Sequence, residues 1–148
     1  MVKKVDELAP DHIGWRLWNA SKQWETRFAA AMIDAGFSWY GDARAGVIPY
    51  ISASGTRQVD IVNRMQISKQ AVHQSLSELE MDGVIRRVPD PDDGRGRIVQ
   101  FTERGVAARK AALKIKEALE NDLRAELGEV QFDALYASLG AFLPKEDR

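Results

Sequence analysis

The 148-residue sequence predicts a mainly α-helical chain with one small β-hairpin. Three observations carry that expectation. Apolar residues recur at three- and four-residue spacing along most of the chain. Residues 84–101 break that rhythm with β-branched side chains flanking a Pro-, Asp- and Gly-rich turn. Ser, Thr and Asp stand where helices would begin, and Gly where they would end.

Asp11 to Ala35 reads as one long helix, because Leu17, Ser21, Trp24, Phe28, Ala31 and Ala35 step by fours and threes. Gly36 ends it. Phe37 to Gly41 reads as a short aromatic loop. Asp42 is placed to cap a second helix to about Ser52, which Pro49 should kink or weaken. After a turn at Ser54-Gly55, Thr56 is expected to cap a third helix through Met65, with Ile61 and Val62 inward. Ser68 is expected to cap a fourth, ending at Gly83 and burying Ile67, Val72, Leu76 and Leu79. Val84 to Val88 reads as a strand, Pro89 to Gly96 as a hairpin loop, and Arg97 to Phe101 as the return strand. Thr102 should cap a fifth helix to Leu127 with the stripe Ile115, Leu119, Leu123 and Leu127. Beyond Gly128, Val130 to Leu143 reads as a last helix with Phe132, Leu135, Tyr136, Leu139 and Phe142 inward.

Composition excludes several functional classes. Apolar residues make up 45%, enough for a real core, and the net charge of −1 excludes a uniformly basic chain. Charge placement says more. Arg57, Arg64 and Lys69 face only Asp60 between Gly55 and Ser77, whereas Glu78, Glu80 and Asp82 follow without a cation. With no cysteine there is no disulfide, thiolate metal site or thiol redox sensor. The two histidines, His12 and His73, are far apart and make a metal site within one chain unexpected. Asp90, Asp92 and Asp93 do not match a calcium loop and read as turn residues. No catalytic triad, phosphate loop or nucleophile motif is visible, so neither an enzyme nor a cofactor is expected. The N-terminal MVKKVDELAPDH lacks the apolar run of a signal peptide, and no stretch nears the ~18 apolar residues of a membrane span. A cytoplasmic protein without membrane association is expected.

The fourth helix carries Lys69, Gln70, His73, Gln74 and Ser77 opposite its apolar side, and such groups hydrogen-bond to base edges and phosphates. Arg95 and Arg97 stand beside glycines at the hairpin tip. A helix suited to a major groove with a basic loop next to it is the layout of a winged helix-turn-helix. Residues 42–101 form that head within a single unit, 1–148. Residues 1–41 and 102–148 form a helical region whose apolar faces a small head cannot cover, so they should pack together and against a second copy.

At this level of detail the chain resembles the MarR family of bacterial transcriptional regulators. The strongest match is Asp90-Pro91-Asp92-Asp93-Gly94-Arg95-Gly96-Arg97, then the strand to Phe101 and Thr102-Glu103-Arg104-Gly105. The family pattern there is D-P-x-D-x-R, a strand, then L-T-x-x-G. Phe101 replaces the usual leucine, and Gly94 stands where many members carry a second arginine, which loosens the tip. Gly55-Thr56-Arg57-Gln58, Ile67 to Val72 and Leu79-Glu80-x-x-Gly83 also match, in order and correctly spaced.

The resemblance implies a homodimer with two winged heads on a palindromic operator. It implies that Arg95, oriented by Asp93, enters a minor groove, where narrow A·T tracts concentrate negative potential. Arg97 is expected to face phosphate or to pair with Asp92. Ser68, Lys69, Gln70, His73 and Gln74 lie at the start of the recognition helix, and Arg57 and Arg64 suit phosphate contacts or plain surface charge. Of Arg86 and Arg87, at most one should face DNA. The family often holds a small aromatic or anionic effector in a crevice between the first, second and fifth helices. His12, Trp15, Arg16, Trp39 and Tyr40 fall near it, with ordinary core packing as their alternative. The expected function is a ligand-responsive regulator, in the first instance a repressor, binding double-stranded DNA. The alternative is a winged-helix protein-interaction module with weak or lost DNA binding, suggested by Glu78, Glu80 and Asp82.

Overall fold

The computed structural model describes residues 11–144; residues 1–10 and 145–148, the ends of the expected dimerisation segments, lie outside that range. Helix α1 spans Ile13–Asp34 and is capped by His12, whose ring nitrogen accepts the Trp15 N–H at 3.3 Å. Two 3-10 helices follow, Ser38–Gly41 and Ala43–Tyr50. Then come β1 (Thr56–Arg57), α2 (Gln58–Met65), α3 (Lys69–Met81), β2 (Ile85–Asp90), β3 (Asp93–Phe101), α4 (Glu103–Leu127) and α5 (Glu129–Phe142). The order and type of the long helices are those the sequence predicts.

Three local expectations are corrected. The segment capped by Asp42 is a 3-10 helix, not an α-helix, and Pro49 lies inside it. Proline has no N–H to give and crowds the preceding turn, which disfavours regular α-helix there. Thr56 does not cap α2. Its hydroxyl oxygen accepts the Ser52 N–H at 2.9 Å, and its backbone belongs to a strand. Thr56 and Arg57 pair antiparallel with Val99 and Ile98, so the sheet has three strands in the order β1-β3-β2. The wing is also longer than expected. Strands β2 and β3 continue to Asp90 and Asp93, leaving Pro91-Asp92 at the turn, with a register shift between Pro89 and Asp90.

The core lies beneath α3 and the sheet. Val72, Leu76 and Leu79 are fully buried there with Ile61, Val84 and Val99, each large apolar side chain contributing about 1.5–3 kcal/mol on transfer from water. Ile67, expected on that face, is 48% exposed because it precedes the helix. Gly83 ends α3 at φ +70°, a left-handed backbone that suits glycine. Ser68 and Thr102 cap α3 and α4 as predicted, accepting the N–H groups of Ala71 and Gly105. The first turn of α4 lies so close to β2 that a Cβ on Gly105 would run into the Val84 carbonyl oxygen.

Helix α5 buries only Phe132, on whose ring the Arg124 guanidinium sits 3.9 Å from the centroid. Leu135, Tyr136, Leu139 and Phe142, expected inward, are exposed within one chain, as are Trp15 and Trp18 of α1. No helix among the described residues is long and apolar enough to cross a membrane.

Candidate nucleic-acid interface

The N-terminal half of α3, the start of α2 and the wing enclose a groove of about 770 Å³ lined by Arg57, Gln58, Lys69, His73, Arg95 and Arg97, among others. Its geometry is set by ion pairs that tie the elements together. Arg87 on β2 clamps α3: its Nη2 donates to Glu80 at 2.7 Å and to Ser77 at 3.1 Å, while its backbone N–H donates to the other Glu80 oxygen. Hydrogen bonding from Arg87 holds the Glu80 carboxyl below its ordinary value of 4.5, against a smaller opposing effect of burial. Arg57 ties α2 to the wing, with Nε 2.9 Å from Asp90 and Nη2 3.2 Å from Asp92.

These pairings sort the cations. Arg57 and Arg87 are neutralised within the chain, and Arg86 donates to Gln100. Arg64 lies over the Tyr50 ring. Arg97 reaches only the Gly96 carbonyl, at 3.4 Å, and does not pair with Asp92, because Arg57 does so from the neighbouring strand. Lys69 and the Arg95 guanidinium have no hydrogen-bond or ion-pair partner among the described residues. Asp93 acts on Arg95 through the backbone: its Oδ1 accepts the Arg95 N–H at 3.0 Å, which shapes the turn and leaves the guanidinium unpaired. Asp90 accepts the Asp92 N–H in the same way, so these aspartates are turn residues as their spacing suggests.

On α3, Gln70 is exposed, and Gln74 is exposed with its amide donating to Glu78. His73 is half-buried, not on an open face, with the Gln58 amide nitrogen 2.8 Å from its Nε2. Gln58 is the groove residue that sequence reasoning missed. Its signal was a polar residue one turn from Ile61, on the buried side of α2. The acids Glu78, Glu80 and Asp82, read as a possible docking patch, are answered internally by Arg44 and Arg87. Hydrogen bonding from Arg44 likewise lowers the Asp42 carboxyl below its ordinary value.

The five residues assigned to an effector crevice are not brought together within one chain. Arg16 forms a two-pronged pair with Asp11 at the start of α1, near His12 and exposed Trp15. Tyr40 packs edge-on against Phe28, twelve residues further along α1, or about 18 Å at the helical rise. Trp39 is a core residue beside it, 3% exposed, with its indole N–H unpartnered. Tyr40 instead borders a groove of about 570 Å³ against α4, which Pro49, Leu113, Arg109 and Lys116 also line. Burial raises the Tyr40 hydroxyl above its ordinary value, partly offset by Arg109. Among the described residues no group of three or more His, Cys, Asp or Glu side chains is placed to hold a metal.

Comparison with known proteins agrees with this architecture. Residues 41–96 match the model of the MarR family. The wild-type, apo form of MarR from E. coli superposes with a TM-score of 0.74 at 19% identity, over 91% of this chain and 98% of that one. A mutant MarR from E. coli complexed with operator DNA gives 0.69 at 20% identity, over 94% and 97%. The transcriptional regulator Tm0710 from Thermotoga maritima gives 0.65 at 18% identity, over 87% and 89%. No curated protein sequence matches. The head thus matches the MarR family model, and the chain has the winged-helix fold of MarR structures over some nine-tenths of its length.

Proposed function

We propose that this chain is a transcriptional regulator that binds double-stranded DNA as a homodimer, α3 entering the major groove and the wing an adjacent minor groove. The observation that carries this reading is the sorting of charge around the groove. The cations that shape it are paired within the chain, whereas Lys69 and Arg95, at the start of α3 and the tip of the wing, are left for an external anion. A helix N-terminus with a lysine beside it favours phosphate, and a loop arginine suits a narrow minor groove. The similar E. coli MarR structure in complex with operator DNA supports the same partner.

Homodimerisation is supported by the apolar side chains left uncovered on α1 and α5. Trp18 is 60% exposed, Tyr136 68%, Phe142 79% and Val130 84%. Such a concentration of large apolar groups at the two ends of a chain marks an interface. Two-fold symmetry then presents two heads to a palindrome, about one duplex turn, ~34 Å, apart.

Control by a small aromatic or anionic effector is the finer part of the reading. The groove between Tyr40 and α4 suits it better than the residues expected at the start of α1, because apolar walls there meet Arg109 and Lys116 at the joint between head and helical region. A ligand favouring one spacing of the heads would shift the population away from the DNA-fitting state, acting as a repressor's inducer. No specific observation favours the alternative of a protein-docking module, since its acidic cluster is neutralised internally.

The experiment is selection of duplexes from a random pool by the full-length protein. Enrichment of an inverted repeat with half-sites one turn apart is the expected outcome. Recovery of unrelated sequences, with equal affinity for all, would remove operator binding from the account.

A further inference from the structure

Gln58 and His73 form a pair inside the groove that no part of the charge network explains. Gln58 opens α2 and is only 9% exposed. Its amide nitrogen lies 2.8 Å from Nε2 and 3.1 Å from Nδ1 of His73 on α3. Its amide oxygen is buried without a partner among the described residues. Buried acceptors are rarely left unpaired in folded proteins, so this one calls for an explanation.

The chemistry of the two groups supplies it. A neutral imidazole has one ring nitrogen free to accept, and the Gln58 amide nitrogen donates to it. An imidazolium has N–H groups at both nitrogens and accepts nothing. Turning the carboxamide over then presents the oxygen, the atom that otherwise has no partner. A neutral ring can meet either end of the carboxamide through one of its tautomers, whereas the imidazolium can meet only the oxygen, so the charged state fixes the orientation that satisfies the orphaned oxygen.

Charged groups of β1, β2, α3 and β3 surround the pair. From β1, Arg57 pairs with both Asp90 of β2 and Asp92 at the turn of the wing, one cation against two carboxylates. From β2, Arg87 is balanced by Glu80 of α3. What remains around the groove is Lys69 of α3 with Arg95 and Arg97 of β3, against Asp93 and the second of the two carboxylates on Arg57, which leaves a small excess of positive charge. DNA phosphates would reverse the balance.

We propose that Gln58 is a positioning residue for DNA recognition, holding His73 toward the groove and allowing the head to take up a proton there as DNA docks. The inference rests on the DNA-binding reading above. Affinity then falls as pH rises through the range in which imidazoles titrate, because the docked state binds more protons than the free one.

The test uses the full-length protein and a duplex enriched from the random pool, at constant ionic strength. Wild-type affinity is expected to fall about five- to fiftyfold between about pH 6 and pH 8. His73→Gln should flatten that profile, and Gln58→Met should flatten it by removing both amide atoms. Gln58→Glu offers only acceptors and should displace the fall to higher pH. Thermal melting establishes that each variant is folded. The chain has two histidines, His12 and His73, so ring-nitrogen NMR signals of His73 are assigned by difference against His73→Gln. They should take the imidazolium pattern when duplex is added at pH 7.5 or thereabouts. A neutral His73 in the complex, or the same pH profile in wild type and His73→Gln, would overturn the proposal while leaving DNA binding intact. Absence of binding to any duplex at every pH would instead overturn the DNA-binding reading, and this inference with it.

Discussion

Arg57 Nε lies 2.9 Å from Oδ2 of Asp90, a carboxylate whose side chain is 3% exposed, and this pair joins the residue before α2 to the turn end of the wing. The contact is half-buried, since Arg57 itself is 47% exposed. Arg57→Ala should cost about 1–3 kcal/mol, because a buried carboxylate loses its charged partner while the other side of the pair stays wet. In a double-mutant cycle with Asp90→Ala, measured by urea unfolding, a coupling of at least about 0.5 kcal/mol is expected. Simple additivity of the two substitutions would mean that the pair does not hold the wing.

Gly105→Ala should destabilise the fold by about 2–4 kcal/mol. The added methyl would meet the Val84 carbonyl and the Phe101 ring, and that carbonyl is held by the Thr102 N–H, so it cannot give way cheaply. Thermal and denaturant unfolding read this directly. A loss under about 0.5 kcal/mol, the range of an ordinary surface substitution, would show that α4 and β2 are not in close contact.

The Glu80–Arg87 clamp should make stability depend on acid. Hydrogen bonding to Arg87 depresses the folded-state value of Glu80, so its contribution is fully present above the unfolded value near 4.5 and is lost as pH falls through the folded value. Both groups are partly exposed, which limits the contribution to about 1 kcal/mol or less. The stability difference between wild type and Glu80→Gln should be constant from about pH 7 to pH 5 and shrink towards about pH 3. A difference independent of pH would remove the ion pair as its cause.

Much of this was legible in the sequence, for identifiable reasons. Val72, Leu76 and Leu79 announced the buried side of α3 by their spacing, and Ser68, Thr102 and Gly83 marked helix ends by local chemistry that needs no tertiary context. What escaped depended on neighbours distant in sequence. Thr56 looked like a helix cap until Val99 and Ile98 drew it into a strand. Arg97 had phosphate or Asp92 as its expected partner, and Arg57 reaches Asp92 instead, across 35 positions. His12 and Tyr40 were grouped by likeness to a crevice, yet within one chain His12 caps the start of α1 while Tyr40 packs against Phe28, several turns further along it. Gln58 left only a faint signal, a polar residue one turn from Ile61, because its importance lies in the His73 ring it touches.

Tyr136→Glu combined with Trp18→Glu should convert the proposed dimer to monomer, or leave it insoluble, by placing charge on an apolar face. Sedimentation at low micromolar concentration distinguishes the outcomes. Wild type is expected to remain dimeric there, and a well-folded wild-type monomer would contradict the assignment of α1 and α5 to an interface.

The central claim is that Arg95 and the start of α3 bind DNA, and a salt-titrated affinity measurement tests it most directly. Binding of wild type and Arg95→Ala to an enriched duplex and to a scrambled one should be followed from about 50 to about 200 mM salt. Wild type should prefer the enriched duplex and lose affinity steeply with salt. Arg95→Ala should bind at least about tenfold more weakly, with a shallower salt slope, at unchanged thermal stability, because the side chain has no partner within the described chain. Equal affinity of the two proteins for the enriched duplex at every salt concentration would contradict the account.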